Sequence, residues 1–324
     1  MRSNTFAAPW WRPAVTAPKP LTSWAFPARC SGRRSGISKS KCPSVGAGAE
    51  TSVARLPELE LPAGTLLIAD LHLDVVGPEG DGQDGQDGLD NWLAANPAPA
   101  LIILGDLFDA WVGAGQARQA PARRVLEELG QRFPGAVHLV PGNRDFLFDR
   151  KTGAPFGIEV HRDGMLGVLP TGGRVLLVHG DEFCTQDVTY QRLKRLLRRS
   201  TWFLRALPLF LGLALARYLR RRSRKAVAHK APAYTAMQVE AVRAAATRAG
   251  AEHVICGHAH RAFSGPLWSA TPGPGAGGSD AGTGGWWVLG AFAEGAELAG
   301  AGPGELGGTG AVLRVTETGL EPHN

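Results

Sequence analysis

The sequence predicts an α/β fold in which short strands, buried on both faces, alternate with helices. Two observations predict it. Five apolar runs of strand length recur along the chain, at 66–69, 101–104, 137–140, 175–178 and 253–256. Runs that are mostly apolar, rather than alternating with polar residues, suit strands covered on both sides. Helix-like stretches such as 122–132 lie between several of these runs, as expected for α/β units. At 324 residues with 44% hydrophobic side chains, the chain can bury a sizeable core.

Taken in order, residues 1–60 show no periodicity and are rich in Pro, Ser, Arg and Ala. They are expected to be a disordered leader or a non-native N-terminal extension. Arg and Ser with no acid before residue 50 also resemble an organelle transit peptide, although no amphipathic helix stands out. Residues 61–189 carry four of the five strands and form the first part of a core. The tract 77–88, G-P-E-G-D-G-Q-D-G-Q-D-G, lacks the terminal Glu and ligand alternation of a calcium loop and is expected to be an exposed loop. So is 271–285. Residues 190–248 lack strand signals and are expected to be an inserted, basic and apolar helical lid. Residues 249–324 complete the core.

Charge is divided unevenly. Residues 1–49 hold eight Lys/Arg and no acid, and 192–230 hold thirteen and no acid. With a formal total of +6, the rest of the chain is near −15. An acidic body with basic appendages argues against nucleic acid as a partner. Four scattered cysteines, Cys30, Cys42, Cys184 and Cys256, form no framework and suit a reducing compartment. Cys184 and Cys256 are expected to be small core residues. In 202–219 the longest uncharged run is 206–216, whereas a spanning helix needs about 20 apolar residues. Apolar residues beside dense Arg instead suggest an element lying on an anionic membrane surface.

The chemistry sits at the strand ends. The first run ends I-A-D-L-H (Asp70, His72) and the second L-G-D-L-F-D (Asp106, Asp109). The third ends V-P-G-N-R-D (Asn143), the fourth L-V-H-G-D (His179), and the fifth I-C-G-H-A-H (His258, His260). Ligands of open α/β sheets bind beyond the carboxyl ends of strands, so five strand ends can deliver seven donors to one crevice. At i, i+2 spacing in an extended chain, Asp70 and His72, or His258 and His260, point the same way. Gly105, Gly142 and Gly257 permit sharp exits from the strands. An oxygen-and-imidazole set without thiolate suits Mn, Fe, Zn or Mg. Seven ligands exceed one ion and suit two that share a carboxylate, with Asp106 the natural bridge. Two such ions clamp the attacking and leaving oxygens of an in-line displacement. The other histidines, His138, His161, His229, His253 and His323, lack such a setting and are given no role.

These five blocks, in this order, are similar to the calcineurin-like metallophosphoesterase superfamily. The resemblance implies a β-sandwich flanked by helices (αββα, four layers) with an inserted lid. It implies one metal on Asp70, His72, Asp106 and His260, and a second on Asp106, Asn143, His179 and His258. The blocks D-L-F-D-A-W-V-G, P-G-N-R-D-F-L and H-G-D-E-F-C-T-Q-D-V-T-Y-Q, with A-L-P-L-F and R-R-R-S in the insertion, narrow it to the UDP-2,3-diacylglucosamine diphosphatases of lipid A synthesis. That family uses Mn²⁺, two ions per site, works at the cytoplasmic face of the inner membrane as a peripheral protein, and releases UMP and 2,3-diacylglucosamine 1-phosphate (lipid X).

The resemblance implies Asp106, Asn143, Arg144 and His258 as catalytic residues. It implies substrate contacts for Asn143, Arg144, Asp187, Tyr190, Arg220, Ser223, Lys230 and His258. Arg144 stands where many relatives carry a His that can protonate a leaving alkoxide. An Arg cannot act as an acid near pH 7, but a phosphate monoester, with a second pKa near ~6, needs little protonation to leave. Arg144 would instead contact phosphoryl oxygens as a fork. Leu, Phe and Trp side chains of 202–219 could line an acyl cleft. Val227 replaces a polar Asn of some relatives near the sugar, and Ala259 replaces the usual Thr of G-H-T-H. Two further readings stay open: a phosphodiesterase or nucleotide phosphatase with the same metals, and a non-catalytic scaffold.

Overall fold

The structure, a computed structural model, describes residues 56–75, 81–216, 218, 237–268, 284–292 and 312–323. Among these residues, twelve strands form two six-stranded sheets. One sheet runs β12 (Gly319–His323), β11 (Val312–Thr316), β2 (Leu66–Ile68), β3 (Leu101–Ile103), β4 (Val137–Leu139) and β5 (Ile158–Val160). The other runs β1 (Glu58–Glu60), β6 (Met165–Val168), β7 (Arg174–Leu177), β8 (His253–Cys256), β10 (Gly285–Val288) and β9 (Phe263–Pro266). β2, β3, β4 and β5 are parallel neighbours, and so are β7 and β8.

Each apolar run splits its side chains between two cores, because successive residues of a strand face opposite ways. Leu66 and Ile68 of β2 join Leu101 and Ile103 of β3 on the outer face. There they pack under α1 (Asp81–Ala95) and α2 (Ala120–Arg132), through Leu89, Leu93, Val125, Leu126 and Leu129. Leu67 and Ile102 point inward, against Met165, Val175, Leu177 and Ile255 of the second sheet. The outer face of that sheet is covered by α6 (Val239–Ala249), whose Val242 and Ala246 pack on Val254, Cys256 and Trp286. The layers are therefore helix, sheet, sheet, helix, the sandwich expected from the five blocks.

Several boundaries differ from the sequence reading. The core begins before residue 61, because Glu58–Glu60 pairs in parallel with β6 as an edge strand. Polar outward residues hide such a short edge from an apolar-run search. The tract 77–88 is not wholly a loop: 81–88 belong to α1. The buried Leu89 and Leu93 anchor that helix, and tertiary packing overrides the poor helix propensity of its glycines. The lid is shorter than 190–248. After the short α3 (Arg150–Gly153) of the core, α4 (Val188–Arg199) opens the lid, α5 (Thr201–Ala206) and a helical stretch at 209–216 continue it, and α6 belongs to the core. Most of 271–285, all of 1–55, and Arg220, Ser223, Val227 and Lys230 lie outside the described residues. No helix among the described residues is long and apolar enough to cross a membrane.

Candidate dinuclear metal centre

The carboxyl ends of β2, β3, β4, β7 and β8 meet in one place, although the five strands are shared between two sheets. The seven donors named from the sequence converge there in two groups. In the first, His72 Nε2 lies 3.1 Å from His260 Nε2, and both are 4.0 Å from Asp70 Oδ1. His72 Nδ1 lies 4.0 Å from Asp106 Oδ2. In the second, Asn143 Oδ1 is 3.0 Å from both His179 Nε2 and His258 Nδ1. His179 Nε2 is 3.8 Å from Asp106 Oδ1. Asp106 thus turns one oxygen toward each group.

The backbone that achieves this is not extended. Asp70, His72, Asp106, His258 and His260 have φ between +51° and +71°, and they are the positive-φ non-glycine residues among those described. This corrects the expectation that an extended i, i+2 spacing aligns the pairs. Left-handed backbone is costly for side-chain-bearing residues, and such strain gathers at functional sites. Of the three glycines, only Gly105 uses left-handed backbone, at φ +88°. Gly142 and Gly257 are needed for space: a Cβ on Gly142 would meet Asp106 Oδ1, and one on Gly257 would lie 2.6 Å from Ala69 Cβ.

Two groups behind the ligands escaped the sequence reading. Asp145, fully buried, accepts from the backbone N–H groups of Gly142 (2.6 Å), Leu107 (2.8 Å) and Asp106 (3.4 Å). It ties the loop after β4 to the loop after β3. Asp181, also buried, accepts from Tyr190 Oη (2.6 Å) and pairs with Lys194 Nζ (2.7 Å). Both sit inside quoted blocks, but nothing in their spacing separates a clamp from a ligand.

The electrostatics are those of a site short of positive charge. Burial lifts the Asp70 carboxyl to about 7 and also raises Asp106. Burial disfavours a charged His179, yet Asp106, Asp70 and Asp181 outweigh it and lift the imidazole to about 9. His258, buried and beside His179, falls to about 3. Burial also opposes ionisation of Asp181, but His179, Lys194 and His258 hold its carboxyl well below the usual range. Asp70 Oδ1 and Asp106 Oδ2 are buried with no hydrogen-bond partner among the described residues, an arrangement that costs free energy unless a cation supplies the contact. His179 Nδ1 lies 2.9 Å from the Leu104 carbonyl. Donating there leaves Nε2 as a lone pair aimed at the cluster, the usual support for a metal-bound imidazole. The donor set therefore fits two divalent cations.

The remaining named residues fall as follows. Asp109 pairs with Arg144 Nη1 at 3.0 Å. Arg144 Nε is 3.7 Å from Asp106 Oδ2, and its backbone N–H donates to Asp106 Oδ1 at 2.8 Å. Tyr190 stacks near His258, with ring centroids 6.4 Å apart. Asp187 caps α4 by accepting from the Tyr190 N–H. Cys184 and Cys256 are buried, and burial pushes both thiols up, Cys184 to about 12. Asn143, Arg144 and Tyr190 open into a cavity of about 230 Å³ whose far wall is Leu193, Leu197, Leu204, Leu207 and Leu215. The lid leucines thus line the cleft, while Trp202, Phe203 and Phe210 stay exposed outside it. This corrects the expectation that the aromatic residues turn inward.

Residues 65–262 match the family described as calcineurin-like phosphoesterase. A UDP-2,3-diacylglucosamine hydrolase of Azotobacter vinelandii is 40% identical over 206 residues, covering 61% of this chain and 81% of the relative. Proteins of the same name from Pseudomonas putida KT2440 and Pseudomonas aeruginosa are 38% and 37% identical, over 60% and 62% of this chain and 81% and 84% of their own lengths. The chain belongs to the calcineurin-like phosphoesterases, a family of metal-dependent hydrolases.

Proposed function

We propose that this chain hydrolyses the pyrophosphate of UDP-2,3-diacylglucosamine, releasing UMP and 2,3-diacylglucosamine 1-phosphate. One observation carries the substrate choice: the donor cluster opens, through Asn143, Arg144 and Tyr190, directly onto a leucine-walled cavity. A phosphate-cleaving centre beside an apolar cleft suits a substrate that joins a pyrophosphate to acyl chains. The names of the relatives point the same way.

Asp70, His72, Asp106 and His260 would hold one ion, and Asp106, Asn143, His179 and His258 the other, with Mn²⁺ the metal proposed. Two divalent ions supply Lewis acidity toward phosphoryl oxygens and a lowered pKa for water. The chain's residues do the rest. Asn143 and His258 stand where the phosphate enters. Arg144, held by Asp109, offers a planar fork to phosphoryl oxygens and keeps its proton throughout. Water oxygen adds to the phosphorus nearer uridine, the bond to the bridging oxygen breaks, and that oxygen leaves on the lipid phosphate. Tyr190 and Asp187 shape the mouth of α4 beside the substrate. Arg220, Ser223 and Lys230, outside the described residues, are proposed for the polar head group.

The exposed Trp202, Phe203 and Phe210, on the lid segment that follows Arg198 and Arg199 in the chain, support peripheral attachment to an anionic membrane; the cytoplasmic face of the inner membrane is the location proposed. Hydrolysis of UDP-2,3-diacylglucosamine by Mn²⁺-loaded protein, against its deacylated analogue and an aryl phosphodiester, tests the reading. A preference for the diacyl compound by orders of magnitude is expected. Equal rates on all three would favour a general phosphodiesterase, and no turnover with metals bound would favour a scaffold.

A further inference from the structure

A second group of metal-capable side chains lies on the β4–β5 edge of the first sheet. The register pairs His138 with Glu159. His161 follows two residues later, held in line by its backbone N–H donating to the Leu139 carbonyl at 2.8 Å. The period-2 alternation of a strand then puts Glu159 and His161 on one face. His138 Nδ1 lies 3.1 Å from His161 Nε2 and 3.7 Å from Glu159 Oε2. The three donor atoms all fall within 4.8 Å of one another.

We infer that His138, Glu159 and His161 form a separate mononuclear site for a borderline transition-metal cation, Zn²⁺ above all. Tetrahedral zinc with bonds of about 2.0–2.1 Å spaces its donors about 3.3 Å apart; the 3.1 and 3.7 Å separations from His138 need shifts of a few tenths of an ångström, and the His161–Glu159 separation, within 4.8 Å, closes by rotation of the half-exposed Glu159 side chain. Two imidazoles and one carboxylate with a fourth position for water is a known zinc donor set. An imidazole-rich site ranks Zn²⁺ above Mn²⁺ or Mg²⁺. Both imidazoles are buried, at 6% and 7% exposure, while Glu159 is 53% exposed at the rim. A cavity of about 520 Å³ lined by Glu159, His161, Arg162 and Asp163 gives access from solvent. Burial lowers the pKa of both imidazoles, Glu159 pulls both back upward, and the Arg150 charge lowers His161 further, so the neutral, metal-binding form is favoured.

The competing explanation is a plain hydrogen bond between two neutral histidines. Full-length protein, stripped with chelator and reloaded with Zn²⁺, separates the two. Elemental analysis is expected to find one more zinc per chain in the wild type than in His138→Gln/His161→Gln. Competition against a chromophoric chelator is expected to show affinity for that extra zinc at least tenfold weaker in Glu159→Gln. This rim substitution leaves the buried packing intact if the double variant does not fold. Mn²⁺-supported hydrolysis is expected to be unchanged in Glu159→Gln. Equal zinc content and affinity in wild type and Glu159→Gln would overturn the assignment.

Discussion

Asp70 Oδ2 accepts a 2.6 Å hydrogen bond from the backbone N–H of His258, across 188 positions of chain. The contact joins the loop after β2 in one sheet to the loop after β8 in the other. The same carboxylate points its second oxygen into the donor cluster. Packing of the two sheets and assembly of the site are therefore coupled.

Asp106→Asn removes the carboxylate that faces both donor groups. We expect turnover to fall by well over 100-fold, more than the 10–100-fold typical of a group behind a ligand. Bound metal per chain should drop in parallel, as read by elemental analysis. Near-normal activity with both ions retained would show that the two groups do not share Asp106.

Asp145→Ala strands three buried backbone donors. We expect a loss of about 1–3 kcal/mol in urea unfolding, the cost of leaving buried polar groups unpaired. Metal affinity should fall with it, because Asp106 and Asn143 lose their shared anchor. Unchanged stability would mean that water replaces the carboxylate at no cost.

Gly142→Ala tests space rather than backbone freedom, since the added methyl would meet Asp106 Oδ1. The variant should fold, yet bind metal and turn over at least tenfold more weakly. Gly115→Ala, where a methyl meets nothing within 4 Å, is the control and should match wild type in both measurements.

His253 accepts a hydrogen bond from the Gly285 N–H at Nδ1 (2.9 Å), and burial lowers its pKa from 6.5. Because the folded form protonates at lower pH than the unfolded chain, its contribution is present above 6.5 and lost as pH falls below that value. His253→Asn keeps an acceptor near the same place without a proton to gain. Unfolding measured at pH 8 and pH 5 should show wild type losing more stability than His253→Asn as the pH falls. Parallel losses would show that His253 is not protonated at lower pH in the folded protein than in the unfolded chain.

Trp202 and Phe210, 74% and 69% exposed, are expected to insert into anionic vesicles beside the arginines of α4. Sedimentation with such vesicles should weaken as salt rises, since screening contracts from about 10 Å at 0.1 M to about 3 Å at 1 M. Trp202→Ser/Phe210→Ser should reduce it further without altering metal content. Binding insensitive to both changes would remove the membrane-facing role.

The sequence by itself determined the five strands that carry the site and what chemistry stands at their ends. Apolar runs such as 101–104 and the donors Asp70, His72 and Asp106 that follow them are local features, written in adjacent residues. Tertiary structure decided how those ends are shared. Three of the five strands lie in one sheet and two in the other, because strand neighbours are chosen by pairing across long stretches of chain. It also decided that five donors sit on left-handed backbone, that Asp145 clamps rather than ligates, and that the lid leucines line the cleft while its aromatic residues face outward. His138 and His161, unremarkable 23 positions apart, become neighbours only when β4 pairs with β5. A residue's type is carried by the chain, but its partners exist only once distant segments have been brought into contact.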